Sequence, residues 1–534
     1  MSPRANLHFC RTQPPAGRVR RSFVLPVVLL VLVLVALLAA SFSFEMNADL
    51  AVTQGAFHRF QARQAADAGI QRVMLLLRER RLETDAWYSN PDELRRALVW
   101  RGDLEPTELG LPDSTEVEND RRPAFLFSIV ADDPADDQNV RYGLTNEAAR
   151  LNINVASRDQ LRTLITQIFP EAPVEELVDA LMDWRDEDDI PGEHGAESAY
   201  YATLDPPYRP KNAPFDTVEE LLMVRGFTGQ ILYGEDYDRN GLLSANENDG
   251  DLSFPLDDGD GELNRGLYPY MTVYSRDFNT ANDNKPRFYI GQGIDGIRED
   301  MAEYFSEEEL DFIAAALAAD YSDEANSNGT GGEPSTSQPA GNRGRNTRRG
   351  GTRVRMTTMY SLVDLLKPVP QGGGQWLPSP FGLEDFHRIL DRLSLWIEPE
   401  QVGLIDVNTA PAEVLRCVPH LTAQMVDDIV TQRAALDSTA KRTPAWLLIH
   451  NVVDEETMAE VIPFVTTRGF QFEVESVGFA THVGTVSRIQ AALQMRGPVA
   501  QIIYYRDLTP LGVGYPLRLE DERKGGQLGV ASAR

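Results

Sequence analysis

The stretch from Phe23 to Phe44, FVLPVVLLVLVLVALLAASFSF, contains no charged residue. As an α-helix it would be ~33 Å long at ~1.5 Å per residue, enough to cross a hydrocarbon core of ~30 Å. Arg4, Arg11, Arg18, Arg20 and Arg21 lie ahead of it, and no acidic residue occurs before Glu45. Cationic flanks stay on the cytoplasmic side. Residues 1–22 are therefore expected as a cytoplasmic basic leader, residues 23–44 as a transmembrane helix, and the remainder as a body beyond the membrane. A cleaved secretory signal is the competing reading, because Ala39-Ala40 mimics a small-residue cleavage site. The apolar core of such signals, about 7–15 residues, is shorter than this run.

Residues 45–82 contain no proline, and Ile70, Val73, Leu76 and Leu77 recur at helical spacing. The membrane helix is expected to continue as an amphipathic rod, with Gly55 and Gly69 as soft points and Pro26 tolerated in the first turn. A short basic leader, an apolar helix directly after it and an amphipathic continuation resemble the N-terminus of type IV pilins and type II secretion pseudopilins. The resemblance implies cutting by a prepilin peptidase at Ser22–Phe23, with Ser22 where the family usually has glycine. Major members carry glutamate at the fifth mature position. Val27 stands there in this chain, as is the habit of the minor member pseudopilin K.

At 534 residues, two to four domains are expected. The body is acidic: 81 Asp and Glu against 51 Lys and Arg give a net charge of −30. A body of that sign repels phosphate backbones, so nucleic acid is not an expected partner. The dense basic stretch, Arg343–Arg355, begins inside residues 322–352, which are almost free of apolar side chains and are expected as a disordered linker. Cys10 precedes the processing point and Cys417 lies in an apolar helix, so no internal disulfide is expected.

Residues 83–150 read as strands and loops: a short helix in DELRRALVW, then AFLFSIV (124–130) and NVRYGL (139–144) as strands joined by the turn-forming DDPADDQ. In LNINVASRDQLRTLI, Leu151–Ile165, Ser157 and Gln160 form a capping-box signature. LIDVNTAPAEVLRCV, Leu404–Val418, aligns with it without gaps, Asn154 on Asn408 and Leu161 on Leu415. Further on, Leu177–Leu181 with Trp184-Arg185 aligns on Met425–Ile429 with Gln432-Arg433. The chain thus repeats a strand followed by a helical hairpin. A degenerate third copy falls at Lys285–Tyr321, where Ser306 and Glu309 form another capping box. The expected modules are a first hairpin at 151–232, a strand plus the degenerate copy at 267–321, and a strand and helix at 353–403. A second hairpin at 404–467, C-terminal strands at 468–510 and a tail at 511–534 follow. Within the C-terminal part VSRIQAALQM fits helix or strand.

The hairpins resemble the helix-hairpin-helix (SAM-like) modules of DNA-handling proteins, which hold phosphate on the backbone N–H groups of a glycine-containing loop. The corresponding loops here, Phe169-Pro170-Glu171-Ala172 and Pro419-His420-Leu421, contain no glycine, which favours a structural role. Gly226-Phe227-Thr228-Gly229 is a looser candidate, followed directly by acidic sequence.

Asp183–Gly226, with DWRD, GAE-x-x-YY, PPY, KN-x-PF and EELL in that order, is similar to general secretion pathway protein K. So are WLLIHNVVDEETMAEVIPFVT from Trp446 and FQFEVESVGFA, Phe470–Ala480. The resemblance implies an α+β fold: a long N-terminal transmembrane and amphipathic helix packed on a small antiparallel pilin-like sheet. A large, mainly α-helical domain of SAM-like hairpins is inserted between the strands. It further implies a minor pseudopilin of the bacterial inner membrane with a periplasmic body. Such a subunit caps the pseudopilus tip together with minor pseudopilins of the I and J types.

Residues 233–266 form an acidic segment; from Glu235 to Glu262 there are ten carboxylates and one basic residue, Arg239. Asp236–Glu247, DYDRNGLLSANE, matches the twelve-residue calcium loop position by position. Asp236, Asp238 and Asn240 would supply side-chain oxygens and Leu242 its carbonyl. Ser244 would act at the ninth position and Glu247 with two oxygens, while Gly241 makes the turn. A hard cation takes six to eight oxygens, so Ca²⁺ is the expected structural cofactor. The following NDGDLSFPLDDGDG lacks the second helix of a full EF-hand, which points to a static loop rather than a sensor.

No phosphate loop, G-x-S-x-G, H-E-x-x-H or paired-cysteine motif occurs, and no enzymatic activity is expected. His194 with Glu197, and Asp183 with Asp186 and Asp188, read as groups that cap a turn or pair with Arg185. Two other classes compete with the secretion subunit: a membrane-anchored nucleic-acid receptor using its hairpins, and a calcium-dependent surface binding module.

Overall fold

The structure, a computed structural model, describes residues 24–101, 124–319, 361–372, 375–481 and 483–516. Ser22 and Phe23, the segment 322–352 and most of the tail lie outside the described residues. The chain divides into two units, Met1–Phe60 and Gln61–Arg534.

In the first unit the first helix, α1 (Val24–Arg80), is regular through the apolar run. Leu29, Leu30, Val31 and Leu32, which between them face all round the helix, are exposed, and among the described residues this is the one helix long and apolar enough to cross a membrane. Leucine on every side of a helix, with no protein packed on it, is the pattern of a segment whose solvent is lipid or neighbouring helices.

In the second unit the helix turns amphipathic. Ala62, Ala66, Ile70, Val73 and Leu77, spaced three and four apart, are buried against a six-stranded antiparallel sheet. Five of its strands, β1 (Ala97–Arg101), β2 (Ala124–Val130), β3 (Gln471–Ala480), β4 (Val486–Arg496) and β5 (Val499–Asp507), are neighbours in that order, and the short sixth, Thr145–Asn146, pairs with β3. Phe127, Ile129, Phe472, Val474, Ile489 and Leu493 meet the helix. Ala124, Leu126, Val477 and Phe479 point to the opposite face, where Leu242 and Tyr515 cover them. Because β2 and β3 are paired neighbours, residues 131–470 form an insertion between two adjacent strands.

Several expectations are corrected. ALVW, read within a helix, is strand β1; only Pro91–Leu94 is helical. NVRYGL forms no strand beyond a single bridge between Ala131 and Arg141. Arg141 instead donates to the carbonyls of Tyr88 (2.7 Å), Asp132 (2.8 Å) and Leu144 (2.9 Å), replacing a ladder with side-chain bonds. In 353–403 the helix expected across LEDFHRILDRLSLWI stops at Arg392 and gives way to a strand at Leu393–Ser394, whereas VSRIQAALQM takes the strand of its two readings, as β4. Gly69 is no soft point. A Cβ there would collide with Ser476, Phe127 and Ile129, and one at Gly478 with the helix backbone at Ala62 and Ala66. Ser476 Oγ uses the close approach to donate to the Ala66 carbonyl (2.7 Å).

The insertion holds its own core and contains α2 (Arg158–Ile168), α3 (Val174–Arg185), α4 (Glu307–Ala318), α5 (Ala412–Leu415) and α6 (Ala423–Ala435). The capping boxes at Ser157/Gln160 and Ser306/Glu309 are both formed. Each repeat copy begins with a two-residue parallel strand pair: Leu151–Asn152 with Met271–Thr272, Phe288–Tyr289 with Leu393–Ser394, and Ile405–Asp406 with Val465–Thr466. Next to each pair, the N–H of Ile153, Ile290 or Val407 donates at 3.0 Å to the carbonyl of Thr272, Ser394 or Thr466. The hydroxyls of those three residues accept from the N–H of Tyr274, Trp396 and Arg468. Arg185 donates to the Ile153 and Ala156 carbonyls, and Arg433 to the equivalent carbonyls of Val407 and Ala410. The three segments thus close in the same way, and the first and the last share the arginine bonds as well.

Overpacking a close helix–strand contact costs about 1–3 kcal/mol. Gly69→Val is expected to lower the denaturant midpoint accordingly, whereas Gly55→Ala, with open space around it, leaves the midpoint unchanged or raises it.

Candidate functional site

The acidic loop lies on the sheet face opposite α1. Asp236, Asp238 and Glu247 bring one carboxylate oxygen each to within 4.8 Å of one another. The loop is wound by its own side chains. Asp236 accepts from the N–H of Asn240 and Gly241 (3.0 Å each), and Glu247 accepts from Tyr237 N–H and Ser244 N–H (3.1 Å each). Ser244 Oγ also donates to Glu247. Gly241 has φ +68°, and a Cβ there would strike the Asp132 side chain.

Of the six expected ligands, three converge directly. Asn240 is engaged within the fold: its Nδ2 donates to Asp238 (3.1 Å) and the Gly514 carbonyl (2.6 Å), and its Oδ1 accepts from Leu242 N–H (2.5 Å). The Leu242 side chain is buried in the core beneath the sheet, and the Ser244 hydroxyl is taken by Glu247 and Asn246. Asp238 Oδ1 is buried without a hydrogen-bond partner.

Electrostatically, burial and mutual repulsion outweigh the pull of Arg488 on the cluster. Burial, then the charges of Asp238, Asp132 and Glu247, hold the Asp236 carboxyl well above its ordinary range. Burial and then Glu247 push Asp238 up to about 7, and burial raises Glu247. A divalent cation bound among three such oxygens would restore all three to the charged form. The donor set is all oxygen, the chemistry of a hard cation.

What locks the loop in place comes from distant sequence. Arg488 on β4, fully buried, pairs with Glu475 on β3 and donates to the loop carbonyls of Asp238 (2.6 Å) and Arg239 (2.5 Å). Burial lowers the pKa of this arginine, but the Glu475 carboxylate outweighs it and the net shift is upward. Arg265 donates to the Gly241 carbonyl (2.9 Å) and pairs with Asp132 (3.1 Å). None of Arg488, Glu475 or Asp132 carries a local signal of this role. Asp132 lies in a segment read only as a turn.

A second carboxylate group forms at the end of α3, where Asp186, Asp188 and Glu197 bring oxygens within 4.8 Å of one another. Glu197 is buried and pushed up to about 7, by burial first and then by Asp183, Asp186 and Asp189. Pairing with Arg185 does not occur, since that guanidinium serves the repeat carbonyls. Asp183 caps the turn as expected, accepting from Gly192 N–H at 3.1 Å. Cys417 is buried, and burial pushes its thiol up to about 12, the state of an inert core residue.

Residues 139–233, which contain this turn and the first hairpin, match the family model of type II secretion system protein K. Among solved structures, the chain is similar to the GspK–GspI–GspJ complex from the enterotoxigenic Escherichia coli type 2 secretion system. Identity is 11%, coverage 87% of this chain and 99% of that one, and the TM-score 0.35. No curated protein matches the chain.

Removing one partner of a buried ion pair costs about 3–5 kcal/mol. Arg488→Met is expected to destabilise by about that much, and adding Glu475→Leu to recover part of it, as read by denaturant unfolding.

Proposed function

We propose that the chain is a minor pseudopilin of a type II secretion system, anchored in the inner membrane by residues 23–44 with its body in the periplasm. The observation that carries this reading is the protein K match over residues 139–233, on a chain that begins with a basic leader and one long apolar helix. The sequence resemblance extends the reading to partners: minor pseudopilins of the I and J types, with a prepilin peptidase acting at Ser22–Phe23. Val27 in place of glutamate means that this subunit offers no carboxylate to the N-terminus of a subunit above it, which suits the tip. The insertion at 131–470 is the bulk that would block further growth. Its repeated hairpins act as SAM-like structural modules, and no reaction is assigned to the chain. Co-purification of the full chain with I- and J-type pseudopilins of the same system is the expected result. A chain that ignores every pseudopilin and starts beyond Ala40 would overturn the reading.

We further propose that Asp236, Asp238 and Glu247 hold one Ca²⁺, with Asn240, the Leu242 carbonyl and Ser244 completing the shell after local adjustment. The unpartnered Asp238 Oδ1 and the three carboxylates raised by burial support it. The ion would pin the loop to the sheet rather than open a groove. Calcium at a hundred times its Kd is expected to stabilise the body by about 2.7 kcal/mol. Glu247→Gln should remove most of that gain in a thermal unfolding series with and without chelator.

A further inference from the structure

A cavity of about 430 Å³ lined by described residues opens between the closing strands of the second and third repeat copies. That volume lies within the range of small-ligand sites, about 300–1,000 Å³. Leu393, Leu404, Ile462 and Pro463 give it an apolar wall beside Trp396. Its charge is opposite to that of the body. Arg287, Arg442 and Arg468 line it, and Asp277 is the single carboxylate among the lining residues.

That carboxylate is fully engaged. Asp277 accepts from Arg468 Nη2 and from Thr466 Oγ1, each at 2.5 Å. Arg468 donates in addition to the Thr280 and Phe278 carbonyls. Arg287, by contrast, uses only Nε, on the Asp391 carbonyl (3.2 Å), and its two Nη groups bond to nothing among the described residues. Burial first, and then the neighbouring Arg468, lower the Arg287 pKa to about 9, outweighing the opposite pull of the Asp277 and Asp391 carboxylates. Thr467 Oγ1 is buried without a partner on the same lining.

We propose that this cavity binds a carboxylate carrying an apolar body, with Arg287 forking onto the carboxylate and the Thr467 hydroxyl as a further donor. A planar guanidinium with both Nη groups free matches two carboxylate oxygens at once. The apolar wall takes the remainder of the ligand. A free organic acid and the C-terminal residue of a peptide share this chemistry.

The test is calorimetric titration of the full chain in detergent with four probes. They are N-acetyl-L-phenylalanine, its amide, and Gly-Gly-Phe with a free or an amidated C-terminus. Both free carboxylates are expected to bind, the amides at least about tenfold more weakly. Arg287→Gln should weaken the acids by a similar factor and leave the calcium-dependent stabilisation unchanged; Thr467→Val should do so more mildly. Tighter binding of the peptide than of the small acid assigns the site to a chain terminus, and equal binding assigns it to the free acid. Equal affinity for acid and amide on the unaltered protein, or no binding of either acid, overturns the proposal without reference to any variant. So does a folded Arg287→Gln that binds the acids as before.

Discussion

The contact between α1 and β3 is closer than any side chain at Gly69 or Gly478 would allow. Two glycines and two alanines bring a helix backbone and a strand backbone near enough for Ser476 to bond the Ala66 carbonyl. Everything in the second unit is referred to this seat. It sets which face of the sheet is covered by the helix, and so which face is left for the insertion. Alternation along β3 then does the rest: Phe472 and Val474 go to the helix, while Glu475 and Val477 face the other way.

On that second face, charge rather than apolar area sets the arrangement. Glu475 would be a costly buried carboxylate without Arg488, and Arg488 in turn reaches the carbonyls of the acidic loop. The Arg150–Glu473 pair, bonded at 2.9 and 3.1 Å, makes a second tie between the insertion and β3. Two buried ion pairs on one strand therefore fix how the insertion sits on the sheet. A cation in the loop would act on the same linkage, because Asp238 supplies both a candidate ligand oxygen and the carbonyl that Arg488 holds.

The insertion solves a different problem. Each repeat copy is a two-residue strand and a pair of helices, too small to bury its own apolar face. Three copies share one continuous core, and each closes on a hydroxyl residue that satisfies the backbone two positions later. Where the second and third copies meet, the closing strands leave the arginine-lined cavity.

Local patterns were legible in the residues themselves. The uncharged run, the capping boxes at Ser157 and Ser306, strand β2, the spacing of Ile70, Val73 and Leu77, and the order of oxygens from Asp236 to Glu247 all depend on neighbours within a few positions. Periodicity and spacing encode such features directly. The failures were non-local. ALVW became β1 because Phe125 and Phe127 pair with it, against the helix propensity of the leucines and arginines around it. NVRYGL lost its strand to the Arg141 guanidinium. Gly69 looked like a weakness because the strand that needs it lies about 400 residues downstream. The sequence by itself determined an apolar anchor, a repeated helical unit and a carboxylate loop. Only the tertiary structure decided that Arg488 and Asp132 close that loop, and that Arg287 lines a cavity with its Nη groups unbonded among the described residues, because burial and pairing belong to the packed chain and not to any stretch of it.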